Sequence, residues 1–236
     1  MQAEKFWVVI PNAGIGDRFK SEIPKQYICI HGKTVLEHSI STFLSEDWVA
    51  GVIVALASHD TYFQQLPIAQ HEKIKPVLGG KTRSDSVMSA LSYLKNHAAK
   101  SDWVLVHDAV RPCLHVEDLQ ALVNTLQNEP VGGILAVPVQ DTVKFSEKHS
   151  ISHTVDRNNL WCALTPQMFR LQVLDEALKY CQKQGMAVTD ESCAIENYGM
   201  KSMLVEAKHP NPKLTYTRDF SLVSLLLEAV TNEVVA

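Results

Sequence analysis

Apolar residues in this chain fall into short continuous runs separated by helical stripes. Phe6-Trp7-Val8-Val9-Ile10 is unbroken up to Pro11, the pattern of a strand buried on both faces. Thr34 to Ser45 opens with Thr34-Val35-Leu36-Glu37, a capping box, and lines up Val35, Leu36, Ser39, Ile40, Phe43 and Leu44 on one helical face. Gly51 to Leu56 and Lys73 to Leu78 read as the next strands. Ser84 to Asn96 reads as a helix with Val87, Met88, Leu91 and Leu94 inward. Trp103 to Asp108 is a fourth strand, about Val116 to Leu126 a helix, and Gly132 to Val139 a fifth strand.

That alternation predicts an α/β fold: a Rossmann-like, mainly parallel sheet flanked by helices on both faces. It breaks between Gln140 and Leu160. There, Asp141 to Phe145 and Ile151 to Arg157 alternate polar and apolar residues around a bend at Glu147 to Ser150. The expectation is an inserted β-hairpin arm over about 140–160, with too little apolar surface to stand alone. Beyond it, Pro166 to Gln184 reads as a long helix ended by Gly185. A shorter helix capped by Asp190, a strand over Lys201 to Ala207 and a final helix over Thr217 to Val230 follow. No linker interrupts the pattern, so one domain, 1–236, with an arm is expected.

Composition narrows the function. With 46% hydrophobic and 20% charged residues and a net charge of -4, the 236-residue chain lacks the basic balance of a nucleic-acid binder. No apolar run is long enough to span a membrane, and the N-terminus leaves no room for a signal peptide. Five cysteines (Cys29, Cys113, Cys162, Cys181, Cys193) form no C-x-x-C pair and read as reduced thiols of a cytoplasmic protein. The histidines show no zinc-site spacing.

Candidate chemistry collects where the strands end. After the first strand comes I-P-N-A-G-I-G-D-R-F-K-S-E-I-P-K-Q-Y, with Gly14 and Gly16 in a turn and Arg18 and Lys25 beyond it. Glycines let backbone amides approach an anion, and the two cations add charge, a combination suited to a triphosphate. It is neither a dinucleotide loop, since Phe19 holds the third glycine's place, nor a P-loop. Gly79-Gly80-Lys81-Thr82-Arg83-Ser84-Asp85-Ser86 joins a strand to a helix. Exposed glycine amides and the Ser86 hydroxyl there would suit a small planar ring such as a pyrimidine; the plainer reading is a helix start with Ser84 as its cap. Asp108, near Arg111, could hold a metal through water or bind polyol or ribose hydroxyls. Arg157 on the arm and Lys213 in a late loop are cations that read, singly, as solvated. Thr142, Thr165 and Thr189 read, singly, as turn or cap residues.

Together these pieces resemble one family, the 2-C-methyl-D-erythritol 4-phosphate cytidylyltransferases of the non-mevalonate isoprenoid pathway. The resemblance runs through P-N-A-G-I-G-D-R-F, P-K-Q-Y, G-G-K-T-R-S-D-S-V, V-H-D-A-V-R-P, D-T-V-K, H-T-V-D-R-N-N-L-W, L-T-P-Q, T-D-E-S and N-P-K-L-T, in that order. It implies transfer of CMP from CTP to the phosphate of the sugar alcohol, with release of pyrophosphate and Mg²⁺ carried mainly by the triphosphate. By position, Arg18 and Lys25 would stabilise charge developing on the triphosphate. Asn12, Ala13, Gly14, Gly16, Gly80 and Ser86 would hold CTP, while Asp108, Arg111, Thr165 and Thr189 would lie on the substrate side. Thr142 and Arg157 would reach across a homodimer from the partner's arm and, with Lys213, position the attacking phosphate. Several departures stand out: Asn12 where alanine is usual, Asp17 in the loop, Lys81-Thr82 for an acidic pair, Val110, and Pro212 before Lys213. Val110 is shared with ribitol-5-phosphate-type cytidylyltransferases. Asn12 with Asp17 would suit a non-catalytic nucleotide-binding paralogue. These are the two competing readings.

Overall fold

Val8 and Ile10 point to one side of their strand and Val9 to the other, and all three are fully buried. An unbroken apolar run is therefore what a strand between two helical layers requires. The structure, a computed structural model, describes residues 4–14 and 23–235, with side chains described as far as 229.

Among the described residues the strands are β1 (Phe6–Asn12), β2 (Cys29–Ile30), β3 (Lys33–Thr34), β4 (Val49–Leu56), β5 (Ile74–Leu78), β6 (Trp103–Val106), β7 (Gly132–Pro138), β8 (Val143–Glu147), β9 (Ser150–Val155), β10 (Trp161–Arg170) and β11 (Met203–Glu206). The helices are α1 (Val35–Leu44), α2 (Arg83–Leu94), α3 (Val116–Leu126), α4 (Leu171–Gln184), α5 (Glu191–Asn197) and α6 (Phe220–Val235). Seven strands make the main sheet in the order β11-β7-β10-β6-β1-β4-β5. All neighbours are parallel except β10, which runs antiparallel to both β6 and β7.

One face of the sheet packs on α1 and α3 through Leu36, Ile40, Phe43, Leu119, Leu122 and Leu126. The other packs on α2, α4 and α5 through Val87, Leu91, Leu94, Leu174, Leu178 and Ile195. A fully buried side chain of this size contributes roughly 1.5–3 kcal/mol, so these two layers hold the sheet. A smaller cluster of Ile30, Val35, Val110, Leu214, Val223 and Leu227 seats α6 beside the loop after β6. Thr34 caps α1 with the reciprocal Glu37 bond that the sequence predicts.

Two expectations are corrected. The long helix predicted from Pro166 begins only at Leu171, because Pro166 to Arg170 complete β10. The register shifts between Ala163 and Gln167, and a proline, which cannot donate to a ladder, is tolerated at such an irregularity. Helix α2 is capped by Thr82, not Ser84: its hydroxyl accepts from the Asp85 amide while the Asp85 carboxylate accepts from the Thr82 amide.

Strands β8 and β9 form a separate antiparallel ladder, turned at Lys148 and His149, both at positive φ. Its side chains are almost all exposed, including Phe145 and Ile151.

Candidate active site

In a mainly parallel sheet the loops leaving the strand ends crowd one edge. Here that edge holds a cleft of about 280 Å³. Asn12, Ala13 and Gly14 reach it from the end of β1, Gly80 and Ser86 from the β5–α2 junction, and Asp108 and Val110 from the loop after β6. Lys25 comes from a 3-10 turn (Lys25–Tyr27) and Lys213 from the loop before α6.

Asp108 is the centre of the cleft's charge. Its Oδ1 accepts from Arg83 Nε at 3.0 Å; its Oδ2 lies 2.8 Å from Lys213 Nζ and 3.4 Å from Arg111 Nε. The last is an ionic contact rather than an aligned hydrogen bond, since Arg111 Nε is buried without a hydrogen-bond partner. Burial pushes the Asp108 carboxyl up, but Arg83, Lys213 and Arg111 together outweigh it and hold the group well below the usual carboxylate range. The carboxylate is ionised, oriented and nearly saturated.

Arg83 in turn is gripped from behind. Its Nη1 and Nη2 donate to Glu191 Oε1 and Oε2 at 2.7 and 3.0 Å, and Glu191 has no exposed surface. Burial lowers the pKa of Arg83, but Glu191 and Asp108 raise it further, so the guanidinium stays charged.

The backbone of Asp108 is fixed as well. Its amide donates to Thr165 Oγ1 at 3.2 Å, and Thr165 Oγ1 lies 3.0 Å from His107 Nδ1. His107 Nε2 is 3.0 Å from the Arg111 carbonyl. Burial pushes His107 down to about 4, so the ring is neutral: Nε2–H donates to that carbonyl and Nδ1 accepts from Thr165. Asn211 donates to the Thr165 carbonyl at 3.2 Å and accepts Arg111 Nη1 on its own carbonyl at 2.7 Å.

The two residues that follow Lys25 tie its turn to the end of β1 and to the loop just beyond it. Gln26 Nε2 donates to the Gly14 carbonyl at 3.2 Å, and Asn12 Nδ2 donates to the Tyr27 hydroxyl at 2.9 Å. Tyr27 itself donates to Asp60, and burial with that carboxylate drives its phenol pKa up, keeping the proton on the hydroxyl oxygen.

The glycine pair differs from expectation. Gly79 N–H donates to the Leu56 carbonyl at 2.7 Å and Gly80 N–H to Ser86 Oγ at 3.1 Å, so both amides are already bonded within the chain. Ser86 Oγ also donates to the Thr82 carbonyl at 3.0 Å. What Gly80 supplies is room: a Cβ there would lie 2.2 Å from the Asp85 Cβ. The pair brings bare backbone against the cleft and α2.

The structure thus gathers Asn12, Ala13, Gly14, Lys25, Gly80, Ser86, Asp108 and Lys213 around one space, with Arg111 behind Asp108. Thr165 sits beneath Asp108, its hydroxyl spent on that support rather than lining the cleft. Thr189 is exposed just before the α5 cap, and Thr142 and Arg157 are exposed on the hairpin segment; none of the three lines the cleft of its own chain. Gly16, Asp17 and Arg18 lie outside the described residues. Sequence reasoning missed Arg83 and Glu191 as a pair. Arg83 stands inside the quoted glycine motif, but nothing in the order of residues shows that Glu191 folds back onto it.

For a metal, Asp108 is the only carboxylate among the described residues lining the cleft, and three cations already share it. That donor set builds no direct protein site; it fits an ion held by phosphate oxygens. Elsewhere, His115, Glu117 and His209 bring ligand atoms within 4.8 Å of one another. However, His115 Nδ1 caps α3 by accepting the Glu117 amide, and a helix N-terminus opposes a cation.

Comparison with known proteins points to one family. The family model described as IspD, 2-C-methyl-D-erythritol 4-phosphate cytidylyltransferase, matches residues 6–229. A Vibrio vulnificus protein of that name is 49% identical over 220 residues, 93% of each chain. A crystal structure of 4-diphosphocytidyl-2C-methyl-D-erythritol synthase superposes with a TM-score of 0.84 at 38% identity, covering 96% of this chain and all of the other. The Francisella tularensis 2-C-methyl-D-erythritol 4-phosphate cytidylyltransferase does so with 0.82 at 34% identity, covering 94% and 100%.

Proposed function

The chain belongs to the 2-C-methyl-D-erythritol 4-phosphate cytidylyltransferase family, and we propose that the Asp108 cleft is where its reaction takes place. The activity is transfer of CMP from CTP to 2-C-methyl-D-erythritol 4-phosphate, with release of pyrophosphate, in isoprenoid-precursor synthesis. The observation that carries the site assignment is the convergence of Lys25 and Lys213 on one cleft beside an ionised, immobilised Asp108.

The chemistry follows from charge. A phosphate monoester oxygen of the polyol attacks the α-phosphorus of CTP; the new O–P bond forms as the bond to the β-phosphate oxygen breaks, and pyrophosphate leaves. Two anions must approach and negative charge must spread over the transferring group, so positioned cations supply most of the catalysis. In this reading Lys25, with Arg18, faces the triphosphate. Lys213 lies on the polyol-phosphate side, where Asp108 both orients it and accepts substrate hydroxyls. Asn12, Ala13, Gly14, Gly16, Gly80 and Ser86 shape the nucleotide side. Bound Mg²⁺ would neutralise phosphate charge there, held by the oxygens of the triphosphate itself.

The exposed hairpin is read as the dimer contact. Thr142 and Arg157 lie outside their own chain's cleft, and Phe145 and Ile151 are 50% and 67% exposed, which supports an arm that completes the partner's site. Five free cysteines support a reducing, cytoplasmic setting. Among the described residues no helix is long and apolar enough to cross a membrane. The ribitol-phosphate and non-catalytic readings are not favoured by the family match. The deciding experiment is pyrophosphate release from CTP with a panel of polyol phosphates. Turnover with methylerythritol phosphate above the others confirms the reading, and none with it overturns it.

A further inference from the structure

Glu191 is the first residue of α5, fully buried and outside the lining of the cleft, yet the charge network of the cleft ends on it. Both its oxygens are taken by the terminal nitrogens of Arg83, at 2.7 and 3.0 Å. A planar guanidinium held at two points cannot turn independently of its partner, which is the geometric value of a bidentate pair. From that fixed plane Arg83 Nε donates to Asp108 Oδ1 at 3.0 Å.

The anchor is itself rigid. Gln167 of β10 donates to Asp190 at 2.9 Å and accepts the Ser192 amide at 2.9 Å, so the residues on both sides of Glu191 are bonded to the central sheet. Asp190 also caps α5 by accepting the Cys193 amide at 3.0 Å.

Stability alone does not account for this arrangement. Burying a carboxylate with a guanidinium roughly breaks even against apolar side chains of the same volume. What the chain Glu191–Arg83–Asp108 provides is orientation. Among the described residues, Lys213 and Arg111 address Oδ2 of Asp108, and Arg83 alone addresses Oδ1. Without Arg83 held in place, the carboxylate can rotate about its own axis while keeping Lys213.

We propose that Glu191 is a positioning residue of the transfer reaction: acting through Arg83, it fixes the Asp108 carboxylate in the orientation that receives the hydroxyls of the polyol phosphate. The inference rests on the cytidylyltransferase reading of the cleft. It concerns the polyol side and leaves CTP binding untouched.

The test is steady-state kinetics of Glu191→Gln, Glu191→Asp, Arg83→Met and the double variant Arg83→Met/Glu191→Gln, each for both substrates. A displacement of about 1 Å can cost roughly 10²-fold, so Glu191→Gln, with its charge lost, is expected to lower kcat/KM for methylerythritol phosphate by ~10-fold to ~10²-fold. KM for CTP should stay within about twofold, a split that a general loss of structure would not produce. Glu191→Asp, which keeps the charge, should recover part of the loss. In the Arg83→Met background, Glu191→Gln should cost less than about twofold more, because the link it acts through is already gone. Should Glu191→Gln fail to fold, Glu191→Asp and the Arg83→Met pair carry the same split. Unchanged kinetics in folded Glu191→Gln, a rise in KM for CTP equal to that for methylerythritol phosphate, or fully additive effects would each overturn the proposal. An inactive wild type would remove the reaction reading and this inference with it, whereas an active wild type beside an unaffected Glu191→Gln overturns this inference alone.

Discussion

Lys213 Nζ lies 2.8 Å from Asp108 Oδ2, so a lysine from the loop before α6 is docked on the carboxylate that follows β6. The lysine's partner is ionised because Arg83, Lys213 and Arg111 overcome the burial that would otherwise favour its acid form. Lys213→Ala is expected to lower kcat/KM by ~10²–10³, the scale for one lost transition-state charge contact. Its side chain is 37% exposed, so melting should shift little. Near-native turnover in this variant would remove Lys213 from the mechanism.

Lys25 stands on a turn braced by Gln26 and Tyr27. Lys25→Ala should cost a similar ~10²–10³ in turnover with the fold intact. The bracing predicts a weaker echo: Asp60→Asn, which removes the charge from the Tyr27 contact, should reduce kcat by roughly tenfold without touching any substrate. Kinetics of the two variants side by side check both statements, and a normal Asp60→Asn would show that the Tyr27 bond does not set the lysine's position.

Arg157 is tested by subunit exchange. Arg157→Ala and Lys25→Ala proteins are each expected to be nearly inactive. Mixed dimers should regain one working site, with Lys25 and Arg157 coming from different chains. Confirmed exchange with no recovery would mean that Arg157 works within its own chain or not at all.

His107 makes stability depend on pH. Its ordinary value near 6.5 is pushed down to about 4 by burial, so between those values the unfolded chain binds a proton that the folded chain refuses. Stability therefore rises with pH across that window and falls on acidification. The full loss would approach about 3 kcal/mol at pH 4. Asp108, held low by its cations, loses its contribution only below the ordinary carboxylate range, so the two steps separate. Denaturant titrations at pH 7.5 and 5 check the first step. No difference between them would mean that the folded protein takes up the proton as readily as the unfolded chain.

The sheet was readable wherever a run of apolar residues had to serve both layers, as at Val8, Val9 and Ile10. β10 was not. Its buried stretch carries Pro166, and its pattern merges with the true helix that begins at Leu171, so local period alone could not divide them. At the cleft, motif position identified Lys25, Asp108 and Lys213, which structure then brought together. The roles of Ser86 and Thr165 were not readable, because a hydroxyl's partner depends on tertiary approach: each hydroxyl turned out to support backbone. The Arg83–Glu191 pair was hidden for the same reason, since it joins the first residues of α2 and α5, which meet only in the folded chain.

The hairpin begins and ends on a single rung of the sheet. Pro138 of β7 pairs with Trp161 of β10, and just beyond them Val139 N–H donates to the Leu160 carbonyl at 3.0 Å. The excursion between them is closed at its base by backbone bonds that do not depend on what lies above. Residues 140–159 can therefore change in length and sequence under selection for a partner without refolding the catalytic body, because lengthening a loop costs little once its ends are joined. The rung at Val139 and Leu160 thus insulates the fold of the body from changes in the arm, leaving Thr142 and Arg157 as the positions there that the chemistry itself would hold fixed.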